Sequence, residues 1–207
     1  MFIVKPHKSC LITYLGIVFG VLAIYFAFTK VIFSSTCYLR YSLICLMLSG
    51  ICDMFDGKFA RACKRSEQEK QIGIQLDSLA DTFCFIAVPV LIMFSLKMYS
   101  IPAIIIYILF IICGVTRLAH FNTIADADQP VKSYKGLPVT STAITYPLLG
   151  LLHTVVDLNV LSIIYLSLTL LTAVLFVLKI NVPKLKGMAY IIVPVLALIL
   201  LILLLLL

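Results

Sequence analysis

Charge is what this sequence has little of. Only 12% of its 207 residues are Asp, Glu, Lys or Arg, against about 25% in a soluble domain. Apolar residues make up 63%, and mean hydropathy is +1.17. These proportions exclude a soluble enzyme with one conventional core, a disordered chain and a collagen-like rod. No Cys-x-x-Cys pair occurs among the seven cysteines, and most of them lie in or beside apolar runs. They read as small apolar side chains, not as a disulfide framework or metal cluster. No small-residue cleavage site clearly follows the first apolar run, which therefore reads as a retained helix. Internal repeats and low-complexity linkers are missing too, apart from a leucine-rich tail. The length suits one membrane domain over 1–207.

What is present is a series of apolar runs of spanning length, since about 20 helical residues cross a bilayer. They are Leu11–Thr29, Tyr41–Ala60, Gly73–Leu96, Ile101–Thr116, Leu137–Val156, Leu158–Leu178 and Met188–Leu207. The expected fold is an all-α, polytopic helical bundle. The net charge of +7 would suggest nucleic acid in a soluble protein. Here the cations fall mostly between apolar runs, so topology explains them and no nucleic-acid partner is expected. Of the 16 Lys and Arg residues, only Lys30, Arg40 and Lys97 fall on one side. The positive-inside rule then places the N-terminus and the 58–70, 117–136 and 179–187 loops in the cytoplasm. The expected location is the cell membrane. A tight outer turn is expected near 157–159, with His153 and Asp157 as a structural pair one helical turn apart.

Four of the nine acidic residues, Asp53, Asp56, Asp77 and Asp81, lie inside or at the edge of apolar runs. A carboxylate at the hydrocarbon centre costs about 2.5–3.5 kcal/mol even on the insertion scale. Such residues need partners or a function. Asp53 and Asp56 are three apart, and Asp77 and Asp81 four apart, so each pair shares a helix face. If the two helices are antiparallel neighbours, the four carboxylates converge. Hard oxygen ligands in that arrangement suit Mg²⁺ or Mn²⁺, and one or two such ions would create a phosphate-binding centre. Gly57, Ala60 and Gly73 leave room beside the acids, and Arg61 can set a cation against a diphosphate. The competing reading is interfacial ion pairing of the aspartates with Lys58, Arg61 or Lys64.

These residues resemble the CDP-alcohol phosphatidyltransferase family, whose pattern is D-x-x-D-G-x-x-A-R followed by G-x-x-x-D-x-x-x-D. Asp53, Asp56-Gly57, Ala60-Arg61, Gly73, Asp77 and Asp81 match every fixed position. The spacer Ala62–Ile72 is longer than the usual eight or so residues. Within the family, Leu76-Asp77-Ser78-Leu79-Ala80-Asp81 looks like the version found in bacterial and archaeal phosphatidylserine synthases. Arg117-Leu118-Ala119-His120-Phe121-Asn122 resembles their R-L-A-R-F-N segment, with His120 in place of an Arg. Gly136-Leu137-Pro138 resembles their turn before the fifth helix. Thr13 falls where the family often has a Thr, although the Pro-Asn pair before it is here Lys8-Ser9.

The resemblance, which covers roughly residues 9–150, implies a six-helix catalytic core, about 9–180; hydropathy adds at least one extra C-terminal helix at about 188–207. It implies transfer of the phosphatidyl group of CDP-diacylglycerol to an alcohol, with release of CMP. Asp53, Asp56, Asp77 and Asp81 are the implied ligands of two Mg²⁺ or Mn²⁺ ions, and Asp81 is also the implied general base. Asp56, Gly57, Ala60, Arg61, Gly73 and Asp77 would hold the CDP moiety. L-serine is the expected acceptor, with Arg117, Asn122 and Lys135 as candidate contacts. Glycerol 3-phosphate or an inositol phosphate is the alternative acceptor, and a cation-coupled transporter the alternative class. A homodimer is expected, as is common in the family.

Overall fold

The structure is a computed structural model that describes residues 7–124, 133–183 and 189–206. It is helical nearly throughout. α1 (Leu11–Phe33) and α2 (Thr36–Ala62) form an antiparallel pair joined by a two-residue turn, in which Ser34 takes a left-handed conformation (φ 53°). Their seam is built on small residues. Gly16, Gly20, Ala23 and Ala27 recur along one face of α1 and are buried, so the backbones approach closely. Ser42 of α2 donates to the Ala23 carbonyl at 2.7 Å, giving a polar group inside the bundle its partner.

The next helix starts six residues before Gly73, where the apolar run begins. Ser66 and Glu69 form a capping box, with Ser66 N donating to Glu69 Oε2 at 2.8 Å and Glu69 N donating to Ser66 Oγ at 3.3 Å. Lys70 and Glu67 add a 2.8 Å ion pair on the same turn. The long spacer is therefore not a wide loop: its second half belongs to α3 (Glu67–Asp81). A π-helical turn (Thr82–Ala87) follows at once and leads into α4 (Val88–Ser95), so one rod runs from Glu67 to Ser95. Thr142 donates to the Phe85 carbonyl within the π turn at 3.0 Å.

α5 (Ile101–Ile124) packs against α7 (Leu158–Val177). Between them, the expected span Leu137–Val156 is broken into 3-10 turns at Val139–Ser141 and Leu151–Thr154 around a short α6 (Thr142–Gly150). Pro147 inside α6 removes a helical hydrogen bond. Because 3-10 turns rise faster per residue, this segment still extends roughly 27 Å. α8 (Ala189–Leu206) packs on α2 and α6. One departure from all-α is a ladder of three residues per strand. β1 (Ser133–Lys135) pairs antiparallel with β2 (Asn181–Pro183) beside the end of α7. Gly136, at φ 80°, makes the turn possible, and a Cβ there would collide with the Phe176 carbonyl oxygen.

Four helical stretches, Lys8–Phe33, Glu67–Ser95, Ile101–Thr123 and Asn159–Val177, are long and apolar enough to cross a membrane. Large apolar side chains face outward along them, among them Val18, Tyr25, Ile105 and Ile163. This is an integral membrane protein. Its two ends separate as the charge pattern predicts: Thr13 meets Asp56 at one end of α1, and Lys30 meets Ser95 at the other. The pair expected between His153 and Asp157 is not formed: Asp157 is exposed, and no salt bridge joins the two among the described residues. Lys5, Lys132, Lys184 and Lys186, expected on the aspartate side, lie outside the described residues.

Candidate active site

The site lies where the end of α2 crosses the rod that continues from α3. Helical spacing puts Asp53 and Asp56 on one face and Asp77 and Asp81 on another, and the bundle turns those faces together. Asp56 is buried, and the other three are partly so. The carboxyl of Asp53 lies within hydrogen-bonding reach of Asp81, and that of Asp56 within reach of Asp77. One oxygen from each of Asp53, Asp56 and Asp77 lies within 4.8 Å of the others. Asp81 stands outside this trio, beside Asp53. Thr13 completes the α1 side, donating to Asp56 Oδ2 at 3.1 Å. Ser49, Ala80 and Cys84 line the cleft beneath the carboxylates.

This donor set fits divalent cations. Ligands on opposite sides of a Mg²⁺ ion lie about 4.2 Å apart, twice the usual bond length. The trio's oxygens, all within 4.8 Å of one another, are compatible with sharing one ion. The aspartates have one another as nearest carboxyl neighbours, and no salt bridge joins them to Arg61 or Lys64 among the described residues. Arg61 and Arg117 lie within electrostatic range of Asp56 and Asp53 respectively. These two guanidiniums carry half the charge of the four carboxylates crowded in the cleft.

A Cβ on Gly57 would meet only Arg61 Nη1, at 3.4 Å, and one on Gly73 only Arg65 Nη1, at 3.2 Å. Both glycines thus face open space edged by a guanidinium. Arg65 has no signal in the sequence beyond its charge, because its place over Gly73 depends on the turn between α2 and α3. Ala60 is half-buried on the last turns of α2.

The candidate acceptor residues are more dispersed. Arg117 is buried in α5 near Asp53. Asn122 accepts a 2.9 Å hydrogen bond from Ser78, which lies between Asp77 and Asp81 in sequence. It ties α5 to the second half of the motif. His120 is exposed. Lys135 lies in β1, opposite Asn181.

The profile of a family described as CDP-alcohol phosphatidyltransferase matches residues 7–207. The chain belongs to that family. Its relatives point to one branch. It is 31% identical over 181 residues to the CDP-diacylglycerol–serine O-phosphatidyltransferase of Helicobacter pylori strain 26695, covering 85% of this chain and 71% of that one. It is 36% identical over 103 residues to the Saccharomyces cerevisiae protein of the same description, covering 46% of this chain but 36% of the yeast one. It is 26% identical over 151 residues to the archaetidylserine synthase of Methanothermobacter thermautotrophicus, covering 72% and 61%. The chain thus spans about a third of the yeast relative and most of the Helicobacter one.

Proposed function

We propose that this protein transfers the phosphatidyl group of CDP-diacylglycerol to the hydroxyl of L-serine, releasing CMP. The observation that carries the reading is the convergence of Asp53, Asp56, Asp77 and Asp81 in one membrane-embedded cleft. The serine-specific descriptions of the relatives support the choice of acceptor. A pair of divalent cations, Mg²⁺ or Mn²⁺, held by the four aspartates would supply Lewis-acid neutralisation of the diphosphate.

The chain's own residues do the rest. Asp53, Asp56 and Asp77 form the ligand trio, and Thr13 fixes the rotamer of Asp56. Gly57, Ala60 and Gly73 leave the space that the cytidine diphosphate moiety enters, with Arg61 and Arg65 at its edge for the phosphates. Asp81, outside the trio, accepts the proton of the serine hydroxyl as its oxygen bonds to the diacylglycerol-linked phosphorus and the bond from phosphorus to CMP breaks. Arg117 provides a cation for the serine carboxylate, and Lys135 is the second candidate by sequence. Asn122 holds α5 against Ser78. The acyl chains remain in the bilayer beside the outward-facing apolar side chains. The aspartate end faces the cytoplasm, where the nucleotide and serine are, and the active unit is a homodimer.

Purified protein given CDP-diacylglycerol, Mn²⁺ and single acceptors decides the matter. CMP release with L-serine, abolished by EDTA and by Asp81→Asn, is the expected result. Release with glycerol 3-phosphate or inositol phosphate instead would keep the metal centre and overturn the acceptor. Folded protein that releases no CMP with any of these acceptors would overturn the reading as a whole.

A further inference from the structure

The two acid-bearing helices pair in opposite directions, and their pairing continues one step past the carboxylates. Asp56 lies by Asp77, Asp53 by Asp81, and Gly50 by Phe85: a Cβ on Gly50 would be 3.8 Å from the Phe85 ring. At that third step the start of α6 enters. The same Cβ would be 2.5 Å from the Cβ of Ala143, so α6 rests on the backbone of α2 three residues before Asp53. Thr142, the neighbouring residue, donates to the Phe85 carbonyl at 3.0 Å, four residues after Asp81.

Thr142 is placed to hold the rod at this level. Phe85 lies in the π turn that follows Asp81. In a regular helix its carbonyl would accept from residue 89, and residue 89 is a proline, with no N–H to give. Thr142 brings a donor from another helix. Its hydroxyl hydrogen is shared with the Val139 carbonyl, at 2.9 Å in its own turn. Thr142 is fully buried and Phe85 nearly so, so the bond has no ready substitute in water.

We infer that Thr142 and Ala143, at the start of α6, set the separation of Asp53 from Asp81. Thr142 is then a positioning residue for the proton transfer at Asp81, acting through the π turn. The inference rests on the reading of Asp81 as the general base. In that reading Asp81 must meet the serine hydroxyl as it approaches phosphorus, and a misplacement of about 1 Å costs up to 100-fold in rate.

The test uses the full-length protein in mild detergent with Mn²⁺ present. It reads kcat and KM for CMP release, Mn²⁺ affinity by calorimetry, and backbone hydrogen exchange across Thr82–Ala87 by mass spectrometry. Thr142→Val removes the donor and keeps the shape. It is expected to lower kcat about tenfold, with the KM for CDP-diacylglycerol and the Mn²⁺ affinity within about threefold of wild type. Exchange in the π turn should rise about tenfold. Thr142→Ser should restore both kcat and exchange. Gly50→Ala should lower kcat in the same way by pushing α6 off α2, and Ala143→Gly, which clears the space, should recover it in the double variant. Thr172→Val is the control for lost stability. Thr172 is a buried threonine of α7 that donates to the Thr169 carbonyl at 2.9 Å, and its loss should leave kcat and the π turn unchanged.

An equal loss of kcat in Thr172→Val and Thr142→Val overturns the inference, because lost stability then accounts for both. So does a folded Thr142→Val protein with unchanged kcat or unchanged exchange in the π turn. Failure of Ala143→Gly to relieve Gly50→Ala overturns it as well, and this pair carries the test if Thr142→Val does not fold. Wild-type protein that releases no CMP with any acceptor fails the proposed function instead, and the exchange of Thr142→Val against Thr142→Ser then decides the hold on the π turn by itself.

Discussion

Thr13 of α1 donates its hydroxyl hydrogen to Asp56 Oδ2 at 3.1 Å, joining residues 43 positions apart. The bond makes α1 part of the acidic site, although the acids themselves come from α2 and α3. A hydroxyl donor to a carboxylate in a partly dry cleft restricts the carboxylate's rotamer and balances some of its charge.

Removing that donor should loosen one ligand without disturbing the bundle. Thr13→Val is expected to weaken Mn²⁺ binding about tenfold, the equivalent of roughly 1.4 kcal/mol for a hydrogen bond to a charged group. Thr13→Ser should restore most of it. Calorimetric titration of the metal into both variants checks this, with CMP release expected to follow the same order.

Asp81 lies beside Asp53 but outside the carboxylate trio, so the two roles proposed for it can be told apart by substitution. Asp81→Asn is expected to lower the rate of CMP release at least 100-fold, the usual scale for loss of a general base, while a metal ion still binds. Asp77→Asn should lose both. Parallel Mn²⁺ titrations and turnover assays give the comparison; loss of all metal binding in Asp81→Asn would return Asp81 to a ligand role alone.

Metal removal should cost stability, because carboxylates crowded in one cleft repel when no cation is present. At a Mn²⁺ concentration 100 times its Kd, the folded state gains about 2.7 kcal/mol by mass action. EDTA is therefore expected to lower the midpoint of thermal unfolding by several degrees. Asp53→Asn, with one charge fewer, should show a smaller drop on chelation.

The Ser78–Asn122 hydrogen bond gives Asn122 a measurable structural role. Ser78→Ala and Asn122→Ala should each destabilise by about 1 kcal/mol, and the double variant by clearly less than their sum. Unfolding midpoints of the four proteins complete the cycle. A rise in the KM for serine in Asn122→Ala but not in Ser78→Ala would show that Asn122 also touches the acceptor.

Gly136→Ala tests the turn that carries β1. The left-handed backbone and the Phe176 carbonyl oxygen both oppose a Cβ there. A loss of about 2 kcal/mol or more is expected. Thermal unfolding measures it.

Much of the chemistry was readable without coordinates because it depends on short-range spacing. The intervals between Asp53 and Asp56, and between Asp77 and Asp81, fix two acidic helix faces through helical geometry alone. The low charge content required a membrane domain, and costly buried acids required a function. The sequence could not supply what depends on how helices meet. The start of α3 at Glu67 lay hidden because a capping box of polar residues looks like a loop when apolar runs are followed. The π turn after Asp81 has no pattern of its own, since it shifts hydrogen bonds by one residue within an otherwise uniform apolar stretch. The contacts Thr13–Asp56, Ser78–Asn122 and Thr142–Phe85, and the guanidinium of Arg65 over Gly73, join distant parts of the chain. Hydropathy determines which segments enter the membrane, but side-chain packing and polar satisfaction between them decide their rotation and depth.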